Sequence, residues 1–283
     1  CFRAGARQRG IYFLTVPTGG GKTLASLRFA LRHAREHHLH HIFYIIPYTS
    51  IIDQNAETVR EIMENACYGG DLRDRIVLEH HSNLTPNEET SRQKILAENW
   101  DAPIVFTTSV QFLESLFGHG TRGIRRMHQL ANSVIVFDEV QTLPVRCVHL
   151  FNNAINFLVE YCGSTAVMCT ATQPLLHDVD KNQGALRPVD HPEIVRDTQK
   201  LFIDLKRVEV IDARKPGGWT IEELADLAQK EQVESRSLLV VTNTKSAARE
   251  LYRAITSKTG IETYHLSTGM CPAHRRRILH HIR

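Results

Sequence analysis

Ile11-Tyr12-Phe13-Leu14-Thr15-Val16-Pro17-Thr18-Gly19-Gly20-Gly21-Lys22-Thr23 is the stretch on which the reading of the whole chain turns. It opens as an apolar run of strand character, passes through a glycine turn, and ends on a lysine and a threonine. Leu24, Leu27 and Leu31 then share one face at helical spacing. Glycines let successive backbone N–H groups turn inward and come close to phosphate oxygens. The lysine neutralises β- and γ-phosphate charge, the Thr23 hydroxyl suits Mg²⁺, and the helix start adds positive partial charge at the same place. A chance glycine turn would have to coincide with all of these flanks. Thr18, Gly19, Gly20, Gly21, Lys22 and Thr23 are therefore the expected nucleotide-binding residues. Val16 stands where such loops usually start with Gly or Ala, a position that shapes the strand end more than it touches phosphate.

Working outward, the same pattern repeats. Apolar runs at Ile11–Val16, His41–Ile46, Ile76–Leu78, Ile104–Thr107, Val134–Phe137 and Thr165–Thr170 mostly lack polar alternation. That is expected of parallel strands covered on both faces. Helical stretches lie between them, as where Val148, Phe151, Ile155 and Leu158 share a face. Strands alternating with helices predict an α/β fold: a phosphate-loop lobe with a parallel sheet over residues 1–182. From 183 to 206 the texture turns polar and is broken by Gly184, Pro188 and Pro192, which predicts a linker. A shorter series over 207–283 predicts a second, partial lobe of the same kind. Its expected strands are Val208–Ile211, Ser237–Thr242 and Glu262–Leu266. Its expected helices start at Thr220, with Glu223 completing a capping box, and span Lys245–Ser257 and Ala273–Arg283.

The second chemical signal is Asp138-Glu139-Val140-Gln141, delivered by the apolar run Val134–Phe137. An acidic pair at the C-terminal end of a buried strand is where open α/β sheets place their chemistry. Asp138 is the expected magnesium contact with Thr23. Glu139 is expected to orient the attacking water, since phosphoryl transfer asks mainly for positioning and charge stabilisation. Alone, two acids at a strand end would read as a solvated turn; beside a phosphate loop they do not. Thr170-Ala171-Thr172 ends the next apolar run. Its hydroxyls could hydrogen-bond the acidic pair and pass on nucleotide state, although by itself it would read as an ordinary capped turn.

Composition sets the frame and little more. At 283 residues, a prior of about 150 per domain gives roughly two domains. The chain is 42% hydrophobic and 23% charged, which excludes disordered and collagen-like classes. No apolar run is long enough to cross a bilayer, and none reads as a signal peptide. The six cysteines are scattered with no Cys-x-x-Cys pair, so a reducing compartment is expected. A net charge of +3 permits a nucleic-acid partner without arguing for one.

Phosphate loop, Asp-Glu-x-Gln and Thr-Ala-Thr in this order, followed by a second α/β series, resemble the superfamily-two helicase motor, two RecA-like lobes clasping ATP. Finer stretches resemble one family, the CRISPR-associated helicase–nuclease of type I systems. These are Leu14–Leu24, Ile46–Ile52 with Gln54-Asn55-Ala56, and Leu78-Glu79-His80-His81-Ser82-Asn83. Thr107-Thr108-Ser109-Val110-Gln111, Thr242-Asn243-Thr244 and Tyr264-His265-Leu266-Ser267-Thr268 belong with them. The resemblance implies an ATP- and Mg²⁺-dependent motor, DExH in type. It would reel single-stranded DNA 3′ to 5′ from a target opened by an RNA-guided surveillance complex. It implies catalytic roles for Lys22, Asp138 and Glu139 and coupling roles for Gln141, Thr170 and Thr172. It also implies a strand path lined by Pro47, Tyr48, Thr49, Ser50, Thr107, Thr108 and Ser109 in the first lobe and by Asn243, Thr244 and Lys245 in the second. Arg275, Arg276, Arg277 and Arg283 could add charge along that path, and a solvated basic helix face explains them as well.

A monomer without membrane contact, in the cytoplasm of a bacterium or archaeon, follows from the same resemblance. The family's metal-dependent nuclease, with its His…His-Asp…Asp set, has no counterpart here, since His177-Asp178 lacks its companions. The adenine-reading segment and the late arginine motifs are likewise not found. The chain therefore reads as a motor fragment, expected to bind ATP weakly and hydrolyse it poorly alone. Two other readings stay open: a DExH helicase of another DNA or RNA pathway, and a nucleotide-gated strand-binding module that does not hydrolyse.

Overall fold

A computed structural model describes residues 1–66, 76–81, 96–119, 121–234, 237–260 and 262–282. Cys67, Ser82, Asn83 and Arg283, which entered the sequence reading, lie outside them, as does the side chain of Ser50. The chain divides into two compact units, Cys1–Arg207 and Val208–Arg283.

The first unit is built on one six-stranded sheet. Its strands are β1 (Ile11–Thr15), β2 (His41–Ile46), β3 (Val77–His80), β4 (Ile104–Thr108), β5 (Ser133–Asp138) and β6 (Thr165–Thr170). They lie in the order β1-β6-β5-β2-β4-β3, and every pairing is parallel. The principal helices are α1 (Lys22–His37), α2 (Thr49–Ala66), α3 (Ser109–Phe117), α4 (Thr121–Met127) and α5 (Val148–Glu160). Two short ones follow, α6 (Lys181–Gly184) and α7 (Thr198–Asp204).

Parallel strands need crossovers, and the crossovers cover both faces. Alternate residues of each strand therefore feed two separate cores. Tyr12, Leu14, Tyr44, Ile46, Phe106, Val136 and Val167 pack with Leu27 and Phe29 of α1 and Ile52, Ala56 and Val59 of α2. Phe43, Ile45, Val105, Ile135, Phe137 and Met168 pack with Phe112 of α3 and Phe151, Ile155 and Leu158 of α5. This double burial is why the runs read as continuous apolar stretches. At roughly 1.5–3 kcal/mol for each fully buried side chain, these two layers dominate the stability of the unit.

The stretch 183–206, expected from its composition to be a linker, is packed on the first unit. Val189 N–H donates to the Ile11 carbonyl, Ile194 N–H to the Phe13 carbonyl at 2.8 Å, and Ile194 is buried. Polar composition and prolines marked it as irregular, which it is. They could not reveal that the open edge of β1 takes up its backbone groups.

The second unit holds α8 (Ile221–Glu234), α9 (Lys245–Thr259) and α10 (Pro272–Ile282). The capping box forms as its spacing predicts: Glu223 N–H donates to Thr220 Oγ1 at 3.2 Å, and Thr220 N–H donates to the Glu223 carboxylate at 2.9 Å. Ala225, Ala228 and Leu251 are its buried apolar side chains among the described residues, and Lys258 pairs with Asp226 at 2.6 Å. The expected strands differ from the structure. Among the described residues, Val208–Ile211, Ser237–Thr242 and Glu262–Leu266 form no ladder, and Val210, Leu239 and Val241 are 89%, 84% and 82% exposed. Their β-branched composition suits a strand, but a strand exists only where another backbone pairs with it.

Candidate active site

β1, β6 and β5 are adjacent, so their C-terminal ends bring the three motifs side by side. Thr15 stands opposite Thr170, and Cys169 opposite Asp138. Val16 N–H closes the join by donating to the Thr170 carbonyl at 3.2 Å. Neighbouring strands lie about 4.8 Å apart, so glycine turn, threonine motif and acidic pair fit within a width of about 10 Å.

The glycine turn is a concave cradle. Gly19 and Gly21 take left-handed φ values of 76° and 77°, which side chains other than glycine seldom tolerate. Gly20 is required for a different reason: a β-carbon there would lie 2.6 Å from Val16 Cγ1 and 2.9 Å from the Pro17 carbonyl. At Gly21 a β-carbon would meet open space, and no side chain caps α1. The N–H groups of the first turn of α1 thus face an opening with no side-chain acceptor, the arrangement that takes up phosphate at a helix start.

Lys22 Nζ reaches the Glu139 carboxylate and forms a half-buried ion pair. Burial pushes the Glu139 pKa up, but hydrogen bonds from Lys22 and Gln141 outweigh it and hold the carboxyl below the ordinary range. Asp138 moves the other way. Its burial raises the pKa, the Lys22 charge offsets only part, and the Glu139 charge raises it further. Glu139 also sits at φ 51°, a strained backbone for a non-glycine residue. Thr23 Oγ1 contacts Asn55 Oδ1 of α2 at 3.4 Å. The oxygens of Asp138, Glu139 and the Thr23 hydroxyl are hard ligands of the kind that suits Mg²⁺ better than a softer metal.

The threonine motif does not touch the acids directly. Gln141 bridges them: its Nε2 donates to Glu139 Oε2 at 2.5 Å, and its Oε1 accepts from the Thr170 hydroxyl. Thr172 joins through its backbone, N–H donating to Thr170 Oγ1 at 3.1 Å and carbonyl accepting from it at 3.2 Å. Lys22, Glu139, Gln141, Thr170 and Thr172 therefore form one continuous polar chain.

The expected strand-path residues fall in three settings. Pro47 and Tyr48 leave β2 and Thr49 and Ser50 start α2; Tyr48 is 53% exposed. It lines a largely apolar cavity of about 600 Å³ with Val110, Phe117 and Leu143, and Asp138 reaches the same cavity. Thr107 is fully buried and donates its hydroxyl to the His80 carbonyl at 3.0 Å, so that hydroxyl is turned into the fold. Thr108 caps α3 by accepting from Gln111 N–H, and Ser109 is the first residue of that helix. Asn243, Thr244 and Lys245 belong to the second unit, where Thr244 caps α9 by accepting from Ala247 N–H at 3.1 Å.

Three polar side chains at the site escaped the sequence reading of roles: Asn55, Glu193 and Arg207. Asn55 stood inside a quoted family stretch, with nothing in its spacing to aim it at Thr23. Glu193 and Arg207 lie in the supposed linker and its edge, where composition carries no such signal. Asp53, Glu79 and His81 also bring ligand atoms within 4.8 Å of one another. Arg60 already holds Glu79 at 2.6 Å, however, and neutralises much of what would attract a cation.

The DEAD/DEAH box helicase family matches residues 5–180, and the chain belongs to that family. Within it, the chain is 31% identical over 188 residues to the CRISPR-associated nuclease/helicase Cas3 of Haloferax volcanii. The match covers 59% of this chain and 20% of that protein, so the chain spans about a fifth of the length of this curated relative. Among solved structures, Cas3 of T. fusca is similar over 60% of this chain and 19% of its own, with 18% identity and a TM-score of 0.51. The helicase MrfA bound to DNA is similar over 100% of this chain and 39% of its own, with 18% identity and a TM-score of 0.62. At such identities the structural likenesses establish a shared fold.

Proposed function

We propose that the chain carries the ATP-binding lobe of a helicase motor that moves along single-stranded DNA and serves type I CRISPR interference. The observation that carries the motor reading is the convergence of cradle, acidic pair and threonine motif on three adjacent strand ends, joined by the polar chain from Lys22 to Thr172. The CRISPR role is supported by the likeness to the Haloferax relative together with the family stretches in the sequence.

In this reading the N–H groups from Gly19 to Lys22 and the Lys22 ammonium bind the β- and γ-phosphates. Thr23 and Asp138 hold Mg²⁺. Bound ATP supplies the phosphoanhydride bond whose cleavage drives the motor. Lys22 now pairs with Glu139, so a triphosphate competing for that ammonium leaves the Glu139 carboxylate free to orient a water. A glutamate is ionised at neutral pH without the Lys22 contact, and the hydrogen bond from Gln141 still favours that form. Gln141 holds Glu139 in place and relays its position to Thr170. Thr23, bonded to Asn55 of α2, links the same site to the helix that starts at Thr49 and Ser50.

Strand contacts at these loop starts go to phosphate, which ignores sequence. DNA affinity should fall steeply as salt rises and vary little between sequences. The direct test is single-turnover phosphate release from ATP with single-stranded DNA present. Wild type is expected below ~1 s⁻¹, and Glu139→Gln about a hundredfold slower with ATP still bound. Equal rates in the two proteins would overturn the hydrolytic reading and favour a strand-binding module.

A further inference from the structure

Residues 189–194 run along the outer edge of β1, and the chain continues through α7 to the glycine cradle. Phe13 N–H donates to the Pro192 carbonyl at 3.0 Å and its carbonyl accepts from Ile194 N–H at 2.8 Å, so the segment lies parallel to the strand. Glu193 fastens it at the root of the cradle: its carboxylate accepts from Thr15 N–H at 3.1 Å and from the Thr15 hydroxyl at 2.6 Å. Helix α7 follows, capped by Asp197 on Lys200 N–H at 2.9 Å, with Leu201 packed against the core. The chain then comes down on the glycines. A β-carbon at Gly20 would lie 3.2 Å from Leu205 Cδ1, and one at Gly19 would lie 3.5 Å from Arg207 Nη1.

Arg207 is exposed, and among the described residues no carboxylate stands within ion-pair distance of it. Lys22, the other cation at the cradle, is neutralised by Glu139. An arginine with no carboxylate partner among the described residues, lying beside the glycine turn, has its planar fork available for phosphate oxygens.

We propose that Arg207 is a second phosphate-binding cation of this site, reaching the polyphosphate of a nucleoside di- or triphosphate from the Gly19 side of the cradle. The proposal rests on the nucleotide reading of the glycine cradle.

The test is calorimetric titration of wild type, Arg207→Ala, Arg207→Lys and Lys22→Ala with Mg-ATP, Mg-ADP and adenosine. Arg207→Ala should bind ATP and ADP about tenfold more weakly, bind adenosine unchanged, and melt at the wild-type temperature without ligand. Arg207→Lys should recover part of the loss, since it restores charge without the fork. If Lys22→Ala loses ATP while Arg207→Ala binds it as wild type does, the role of Arg207 is refuted and the cradle stands. An equal loss for adenosine would mean a general distortion of the strap and would also refute it. If wild type and Lys22→Ala are alike in failing to bind ATP, the nucleotide reading itself falls.

Discussion

The two units of this chain start from the same kind of sequence and arrive at different states. In the first, runs such as His41–Ile46 and Val134–Phe137 become strands with neighbours on both sides and helices over both faces. In the second, Ser237–Thr242 has the same branched, apolar character, yet it forms no ladder and leaves Leu239 and Val241 in solvent. The lesson is that apolar periodicity nominates a strand, and only a paired backbone with a covered face makes one.

Several substitutions can break or sharpen this contrast. Phe106, fully buried and stacked on Tyr44 at 4.7 Å, lies at the heart of the first unit. Phe106→Ala should cost about 3–5 kcal/mol, seen as a lower denaturant midpoint of the sheet-bearing unit. A loss below ~1 kcal/mol would mean that the double-faced core is not what holds that unit. Next comes Glu139→Gln, where the hundredfold slowing of phosphate release corresponds to about 2.7 kcal/mol of lost transition-state stabilisation. The thermal stability of that variant should change little, separating site chemistry from core energetics.

A smaller effect is set by pH. His33, buried in the first unit, has its pKa lowered to about 4, chiefly by burial and then by the nearby His37 charge. Its ring bonds the Gly5 carbonyl at 3.0 Å and the Thr165 hydroxyl at 2.9 Å. Below about pH 6.5 the unfolded chain takes up a proton that the folded one refuses until about pH 4. Stability is therefore complete above that window and falls as pH drops through it. Between pH 7 and 5 this one site should remove about 2 kcal/mol, and His33→Gln should flatten the dependence. His80, also lowered to about 4 by burial, adds a slope of the same sign. A pH dependence left unchanged by His33→Gln and by His80→Gln would contradict both. The smallest effect belongs to the second unit: Val241→Ser should alter stability by less than about 0.5 kcal/mol, because the side chain is already in water. A loss of several kcal/mol there would show that Ser237–Thr242 packs in solution after all.

Much of the proposed site could be nominated from the sequence because its motifs are local. Gly19, Gly20, Gly21, Lys22 and Thr23 are contiguous, and in the proposed reading each answers to a need of the same ligand. Asp138 and Glu139 follow directly on an apolar strand. Gln141 was legible as part of the motif, but its bridging position between Glu139 and Thr170 was not, since residues 29 positions apart meet only through strand order. Thr107 misled for a related reason. Its place in the motif suggests a surface hydroxyl, whereas strand alternation turns it toward His80 inside the fold.

The sequence alone determined the strands of the first unit, the Thr220 capping box and the places of the glycine turn and acidic pair at strand ends, because periodicity, capping and backbone freedom act over a few residues. The tertiary structure decided strand order, the fastening of Glu193 to Thr15, the approach of Arg207 to Gly19, and the unpaired state of the apolar runs after Arg207. Each of these depends on contacts between residues far apart in the chain, and a local pattern carries no information about which distant backbone will be there to meet it.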